Sequence, residues 1–502
     1  MSIASAVAVK RSLDARGHRP RWLAVCKVEI ADRDAARVEG LHGVRRWSQR
    51  DEERYGEPEA LVPRVRRWSG PPVVVVGSGP AGLFAARTLG DAGVPVVLLE
   101  RGQAVEQRVP EVKDFWKRRK PLDPENNLLF GEGGAGTFSD GKLTTRRRDG
   151  EVGQIMRYLV EVGADPSILE TAHAHLGTDA LRKILPTLRA RLGELGVEVR
   201  FGARVVDLIV ERGRCAGVVL ASGERVAAHA VLVAAGHSAR DTLEMMVRRG
   251  ARAVARPMAV GVRIEHPQRV IDEARYGRRA GEGLPPASYR LTWSPPGQAR
   301  RAHTFCMCPG GTVVPAVNAA ERLVVNGMSY AARGGSWANS AVVVGIQPQD
   351  FGGTGPLAGY AWQDALEARA FAVAGDWRAP AQRVVDFLAD RGSASLPRSS
   401  YPMGIVSHPL AALFPPGLVA GLKGALLHFD SQLAGFAGEE ALLIAPESRT
   451  TSPVRLLRGD DRQSEGLPGL YPVGEGAGYG GGIISTALDG LKAARAVIAA
   501  AG

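Results

Sequence analysis

The chain has 502 residues, 45% of them hydrophobic, with 62 glycines, four cysteines and a net charge of +12; that length suits two or three domains with sizeable cores. Four cysteines are too few for a disulfide framework and suggest a reducing compartment, and neither a membrane-length apolar run nor a signal peptide is visible before Lys10-Arg11, so the chain reads as cytoplasmic with no membrane partner. The denser basic patches (Arg64-Val65-Arg66-Arg67, Lys117-Arg118-Arg119-Lys120, Arg146-Arg147-Arg148) sit in no nucleic-acid-binding motif, so a solvated basic surface that steers anionic ligands is expected instead.

Residues 1–70 read as a small α/β appendage: a short helix over 4–15, an alternating strand over 22–30, and a charged helix-like run over 45–55. Pro71-Pro72 then leads into Val73-Val74-Val75-Val76-Gly77-Ser78-Gly79-Pro80-Ala81-Gly82, an apolar helix pattern, and a second apolar strand ending at Glu100. This is a complete strand–turn–helix–strand unit for the ADP half of a dinucleotide. Gly77 permits the sharp turn, Gly79 lets backbone approach a pyrophosphate, and Gly82 lets the helix pack on the strand. The helix start aims unpaired N–H groups at the phosphates. Glu100, eighteen residues past Gly82, ends the second strand where a carboxylate accepts ribose hydroxyls, with Arg101 beside it.

The segment 126–142 is too rich in glycine for a helix or strand interior. It reads as backbone lying against a ligand, with Gly133, Gly134, Gly136 and Thr137 at the contact and Phe130, Phe138 and Leu143 as anchors. Helices are expected over 155–162 and 178–195, the second with a cap region around Asp179. A meander of strands follows at 197–201, 205–210, 217–220 and 224–228, closing in a buried strand over 230–236 that ends at Gly236. Residues 257–440 read as an inserted mixed sheet domain: strands at 260–264, 289–293, 303–307, 312–316 and 323–328, then helices over 360–374 and 379–391. The last part returns to the nucleotide fold, with a strand breaking at Gly474-Glu475-Gly476, then Gly480-Gly481-Gly482 opening a helix from Ile483 to about residue 500.

In a flavoprotein an acid at the position of Glu475 accepts a hydrogen bond from a ribityl hydroxyl. The helix start at Gly481, Gly482 and Ile483 points at the flavin edge where negative charge collects on reduction.

On these motifs the chain resembles the bacterial family of FAD-dependent dehydrogenases of unassigned substrate that carry the FAD-dependent protein C-terminal domain. The resemblance spans nearly the whole chain and rests on the Gly77–Glu100 unit, Phe130-Gly131-Glu132-Gly133-Gly134-Ala135-Gly136-Thr137-Phe138-Ser139-Asp140-Gly141-Lys142-Leu143, His175-Leu176-Gly177-Thr178-Asp179, Ala235-Gly236-His237-Ser238-Ala239-Arg240-Asp241, Phe305-Cys306-Met307-Cys308-Pro309-Gly310-Gly311 and Val473-Gly474-Glu475-Gly476-Ala477-Gly478-Tyr479. It implies FAD and a Rossmann-like FAD-binding domain of the glutathione-reductase type. Its division is 1–70 appendage, 71–256 first part of the FAD domain, 257–440 inserted substrate domain and 441–502 closing part. Ala234-Ala235-Gly236 replaces the Ala-Thr-Gly common in related flavoproteins, and the first seventy residues match only loosely, around 10–16.

No second strand–GxGxxG–helix unit and no CxxxxC pair is present, so a disulfide-reductase architecture is not expected. Cys306 and Cys308, two apart on a strand, point the same way: either a redox pair touching the flavin or, favoured, two buried reduced thiols. His237 is a structural turn residue or a catalytic one. Lys142, Arg263 and Tyr479 are candidates for an anionic substrate or for polarising the flavin. His173 and His175 lack a third ligand, so no metal is assigned. The reading is an FAD-dependent oxidoreductase, a dehydrogenase passing a hydride between an unidentified small molecule and flavin N5, with NAD(P)H or a protein as electron partner. Two alternatives stand beside it: a protein with structural FAD that binds or modifies RNA, and an NAD-dependent enzyme using only the first motif. The substrate and the oligomeric state stay open.

Overall fold

The computed structural model describes residues 3–14, 20–31, 34, 37–38, 41–49, 51–52, 65, 67–145, 150–295 and 300–501. Arg64, Arg66 and Arg146-Arg147-Arg148 of the basic patches lie outside these, as do residues 15 and 16, 50 and 53–55.

The nucleotide-binding unit forms around a five-stranded, all-parallel sheet. Its order is Leu470–Pro472, Ala230–Val233, Val73–Val76, Val96–Leu99, Val197–Arg200. The central strand is four valines because both its faces are covered, and it is almost wholly buried. One cover is the pair of helices Pro80–Asp91 and Ile483–Ala501, which join the two ends of this unit. They approach so closely that a Cβ at Gly490 would stand 2.0 Å from Ala81 O. Of the expected meander, Val205–Glu211, Arg214–Leu220 and Arg225–Ala227 form an antiparallel sheet, while Val197–Arg200 instead pairs parallel with Val96–Leu99 in the nucleotide sheet.

A second, seven-stranded sheet is antiparallel except for one pair. Its order is Thr292–Trp293, Ala302–Cys308, Trp337–Ile346, Met258–Pro267, Leu442–Glu447, Ala379–Arg383, Ile405–Ser407. The sheet therefore runs on to Glu447, past residue 440. Helix Pro416–Gln432 lies on it, with Gly421 set against Val344. Phe130 and Phe138 of the glycine-rich segment are buried in the core of this sheet, so that segment is clamped between the two units.

Several local expectations are corrected. Residues 3–14 form a strand, not a helix: Ile3–Asp14 pairs antiparallel with Arg21–Ile30, and the ladder outweighs the helix propensity of its alanines. Of 45–55, the described residues are helical only at 49, 51 and 52. The expected helix over 379–391 is a strand, Ala379–Arg383, followed by a short helix, Val384–Leu388. The slot between Leu442–Glu447 and Ile405–Ser407 supplies hydrogen bonds on both edges there. Only Thr292–Trp293 of 289–293 joins a ladder. The second helix, Gly177–Glu194, is capped at Leu176 without a side-chain bond; Asp179 instead accepts from Ala331 N at 2.7 Å.

Ala at an exposed helix position stabilises relative to Gly, so Gly193→Ala, with nothing near its Cβ, should raise the melting temperature slightly. Gly490→Ala gains the same propensity but meets fixed backbone; it should lose about 1–3 kcal/mol net and melt several degrees lower, measured by thermal denaturation.

Candidate functional site

Parallel strands leave their carboxyl ends on one edge, and ligands of such sheets bind in the crevice there. A solvent-open trough of about 1480 Å³ runs along this edge. Its lining takes residues at the strand ends: Val76 and Gly77, Leu99 and Glu100, Ala234 to Gly236, and Glu475. One end carries Glu100, Arg101, Ala203 and Val205. The other carries Lys142, Cys306, Asn326, Arg449, Glu475 and Gly482, so the first and last core segments and the seven-stranded unit meet in one groove.

Backbone rather than side chain forms much of its floor. Gly79 has an ordinary φ of −72° and heads the Pro80–Asp91 helix, whose first turn no side chain caps. That leaves N–H groups free for an anion. A Cβ on Gly79 would come no closer than 4.0 Å to protein, and one on Gly236 or Gly482 would meet nothing within 4 Å. Gly82 is different: its Cβ would stand 1.8 Å from Gly77 O, so it serves packing. Gly133 and Thr137 also lie behind the lining. Gly133 N donates to Ser78 O at 2.9 Å and the Thr137 hydroxyl to Glu132 O at 2.9 Å. Gly134, Gly136, Pro80, Ala81 and Ile483 do line the trough.

Glu100, expected as a ribose acceptor, is engaged by backbone and by Ser78. Its carboxylate accepts from Ser78 N at 2.8 Å, Ser78 Oγ at 2.7 Å, and Gly102 N and Gly131 N at 3.0 Å each. Arg101 stacks on Phe130 and pairs with Asp241 at 2.9 Å.

The organiser of the glycine-rich segment is Arg108, which the sequence reading missed. Fully buried, its guanidinium donates to the carbonyls of Asn127, Leu128, Gly131, Glu132 and Gly134 over 2.6–3.1 Å. Burial pulls its pKa down to about 9, so it stays charged at neutral pH. The available signal was a lone Arg inside an amphipathic helix just upstream of a segment with no ladder of its own.

At the other end, burial and the negative charge at Cys306 push the Glu475 carboxyl up to about 7. His237 Nε2 lies 3.0 Å from Arg449 O and its Nδ1 3.5 Å from Glu475 Oε1. A carbonyl can only accept, so Nε2 carries the hydrogen and Nδ1 turns its lone pair to Glu475. Burial, with Arg449 nearby, pulls this imidazole down to about 4, hence neutral. Arg449, another residue not foreseen, is fixed by Glu367 at 2.6 and 2.9 Å and by Asn318 at 2.7 Å. Lys142 pairs with buried Asp140 at 2.8 Å, and Asp140 is held in turn by Arg333.

Arg263 lies wholly buried behind the trough, paired with Glu447 at 3.1 Å. Tyr479 packs instead under Arg458, 3.6 Å from the ring centre. Gly474 supports from behind, its N–H donating to Asp489 at 2.8 Å. His175 bonds to Ala331 O at 3.1 Å. Among the described residues no His, Cys, Asp and Glu group could hold a metal. Cys306 and Cys308 do not point the same way: a bulge between Phe305 and Cys308 breaks the alternation, so Cys306 lines the trough and Cys308 is enclosed.

Residues 257–450 match the family model described as FAD-dependent protein, C-terminal domain-like; 71–110 and 140–328 each match an FAD binding domain. An uncharacterized protein of Clostridium beijerinckii is 43% identical over 429 residues, 85% of this chain and 80% of that one. Digeranylgeranylglycerophospholipid reductase 1 of Methanococcoides burtonii is 29% identical over 150 residues, 29% of this chain and 32% of its own. Among solved structures, a geranylgeranyl bacteriochlorophyll reductase-like protein of Thermoplasma acidophilum aligns over 86% of this chain and 78% of the other, at 14% identity and a TM-score of 0.37.

Arg108→Ala strands five carbonyls and should cost on the order of 3–5 kcal/mol, with Arg108→Lys recovering little because one ammonium cannot span them; chemical denaturation midpoints check this. Glu475 binds its proton more tightly folded than unfolded, so its contribution to stability falls as pH rises from about 4.5 through about 7. Glu475→Gln should therefore gain stability relative to wild type over that window, read as the difference in apoprotein melting temperature against pH.

Proposed function

Since the chain belongs to the family of FAD-dependent proteins with this C-terminal domain, and FAD is its cofactor, we propose that it is an oxidoreductase passing a hydride between a small-molecule substrate and flavin N5. The observation that carries this reading is the continuous trough: one end is uncapped helix start and Glu100, the other Lys142, Cys306, Glu475 and Gly482. The empty space above Gly79, Gly236 and Gly482 fits a bound group that lies directly on backbone.

On this reading the segment from Gly77 to Gly82 holds the pyrophosphate, with Glu100 and Arg101 at the adenosine side. A ribose hydroxyl there competes with Ser78 Oγ for the Glu100 carboxylate. The Gly134–Gly136 backbone lies along the middle, and Gly481, Gly482 and Ile483 present a helix start to the ring end. When bound, FAD supplies two-electron hydride chemistry. The chain's residues orient it, keep a fixed cation at Lys142, and hold a proton at Glu475 whose pKa near 7 suits exchange at neutral pH. His237 Nδ1 is the acceptor facing that proton.

We divide the chain into an appendage over 1–70, a glutathione-reductase-type FAD domain from 71–256 and 441–502, and a substrate unit over 257–440 whose sheet continues to Glu447. The four free cysteines support a reducing, cytoplasmic setting, and NAD(P)H or a protein serves as electron partner. No helix among the described residues is long and apolar enough to cross a membrane.

The purified protein should be yellow, and anaerobic titration with NADH, NADPH or a metabolite panel should bleach it; a colourless protein that binds no FAD would end this reading. Gly79→Ala gives a sharper check. The fold has room for that methyl group, so the apoprotein should melt unchanged while FAD binds at least about tenfold more weakly, measured by fluorescence titration.

A further inference from the structure

The edge strand Ala302–Cys308 is irregular where it meets the trough. Its ladder with Trp337–Ile346 shifts register between Phe305 and Cys308, and Cys306 adopts φ 46°. A left-handed conformation is unfavourable for a residue with a side chain, and such strain clusters where a side chain is aimed at a task. The bulge turns Cys306 into the trough while Cys308, two residues on, has no exposed surface. The two residues remain in touch: the Cys308 thiol donates to Cys306 O at 3.2 Å. Arg263 Nη2 donates to Cys306 O at 2.7 Å and sits 3.5 Å from Cys308 Sγ. Lys142, anchored on Asp140, also donates to Met307 O between them.

Two buried thiols kept only for packing need neither a strained bulge nor two anchored cations. We propose that Cys306 and Cys308 form a dithiol–disulfide couple in the wall of the trough, with Cys306 as the attacking thiol and Cys308 as the resolving one, acting on a small-molecule disulfide. The location at the ring end rests on the FAD reading; the thiol chemistry does not.

The Cys306 thiolate attacks one sulfur of the disulfide. The substrate S–S bond breaks, one thiolate leaves, and a mixed disulfide remains on Cys306. Cys308 then loses its proton and attacks Cys306 Sγ, which closes the internal disulfide and expels the second thiolate. The couple has lost two electrons and one proton. The substrate has gained two electrons, and its two thiolates take up that proton and one from water. Excess reducing thiol runs the same steps backwards.

The charges fit this division of labour. Around Cys306 stand the cations Lys142 and Arg263 and the acids Asp140, Glu447 and Glu475. The neighbouring Cys308, then Lys142 and Arg263, outweigh burial and hold the Cys306 thiol well below its ordinary range. Cys308 is pushed far up and keeps its proton until it resolves. An accessible thiolate beside an enclosed thiol is the arrangement that thiol–disulfide exchange requires.

The test uses the full-length protein as purified, with exposed Cys26 as an internal control. Pulse alkylation with iodoacetamide at pH 6 should label Cys306 several-fold faster than Cys26, with the Cys306 rate levelling off at a lower pH than that of Cys26. With 2-hydroxyethyl disulfide, the 302–322 peptide of wild type should lose two hydrogens and keep no adduct. Cys308→Ser should retain one mercaptoethanol on Cys306, and Cys306→Ser should retain none in that peptide. Cys306 labelled no faster than Cys26, or the same retained adduct in wild type and Cys308→Ser, would overturn the proposal. Flavin absorbance on the same samples separates the two readings: a yellow protein that fails the thiol assays sinks the couple alone, and a colourless one that passes them sinks only the FAD reading.

Discussion

A buried guanidinium and a buried carboxylate hold the site together through one residue. Gly131 donates its N–H to Glu100 and offers its carbonyl to Arg108. Around that link Arg108 gathers four more carbonyls, and Glu100 gathers Ser78 and Gly102. A segment so rich in glycine has no ladder to satisfy its polar backbone, and buried backbone groups left alone are costly. Charged side chains replace the ladder. The segment can then lie as bare backbone against a ligand while Phe130 and Phe138 pin it into the neighbouring core.

The same solution recurs along the trough. Asp489 holds the Gly474 turn with help from Arg458 and Arg462, Glu367 fixes Arg449, and Asp140 fixes Lys142 while itself paired with Arg333. Each of these cations is thus tied to a carboxylate and cannot swing away. Among the titratable groups that face the open space, two are shifted toward neutral chemistry: Glu475 raised to about 7 and His237 held unprotonated. Fixed charges outside and movable protons inside are what a redox site needs if charge on its cofactor is to change without the walls rearranging.

The parts that could be read from the sequence were those whose signal is local. Four valines, a GxGxxG turn and an acid at the next strand end specify a parallel strand pair and the helix between them, and both formed as read. Phe130 and Phe138 were legible as anchors because large apolar residues in a glycine-rich segment need a core. The misreadings lay where a distant partner decides. Residues 3–14 have helix-compatible alanines, yet a hairpin partner at Arg21–Ile30 makes them a strand. Residues 379–383 look helical until the strands on both sides are known. Alternation put Cys306 and Cys308 on one face, and a single bulge separated them.

By itself, then, the sequence determined the nucleotide unit and its cofactor class, because turn geometry and strand periodicity act over a few residues. Only the tertiary structure decided that Arg108 organises the loop, that Glu100 braces backbone, and that Glu475, His237, Arg449, Lys142 and Cys306 meet at one end. Those residues come from segments spread between Glu100 and Glu475. Their pKa values and hydrogen-bond partners arise from burial and from charges on other elements, and neither exists until the two sheets close on the segment between them.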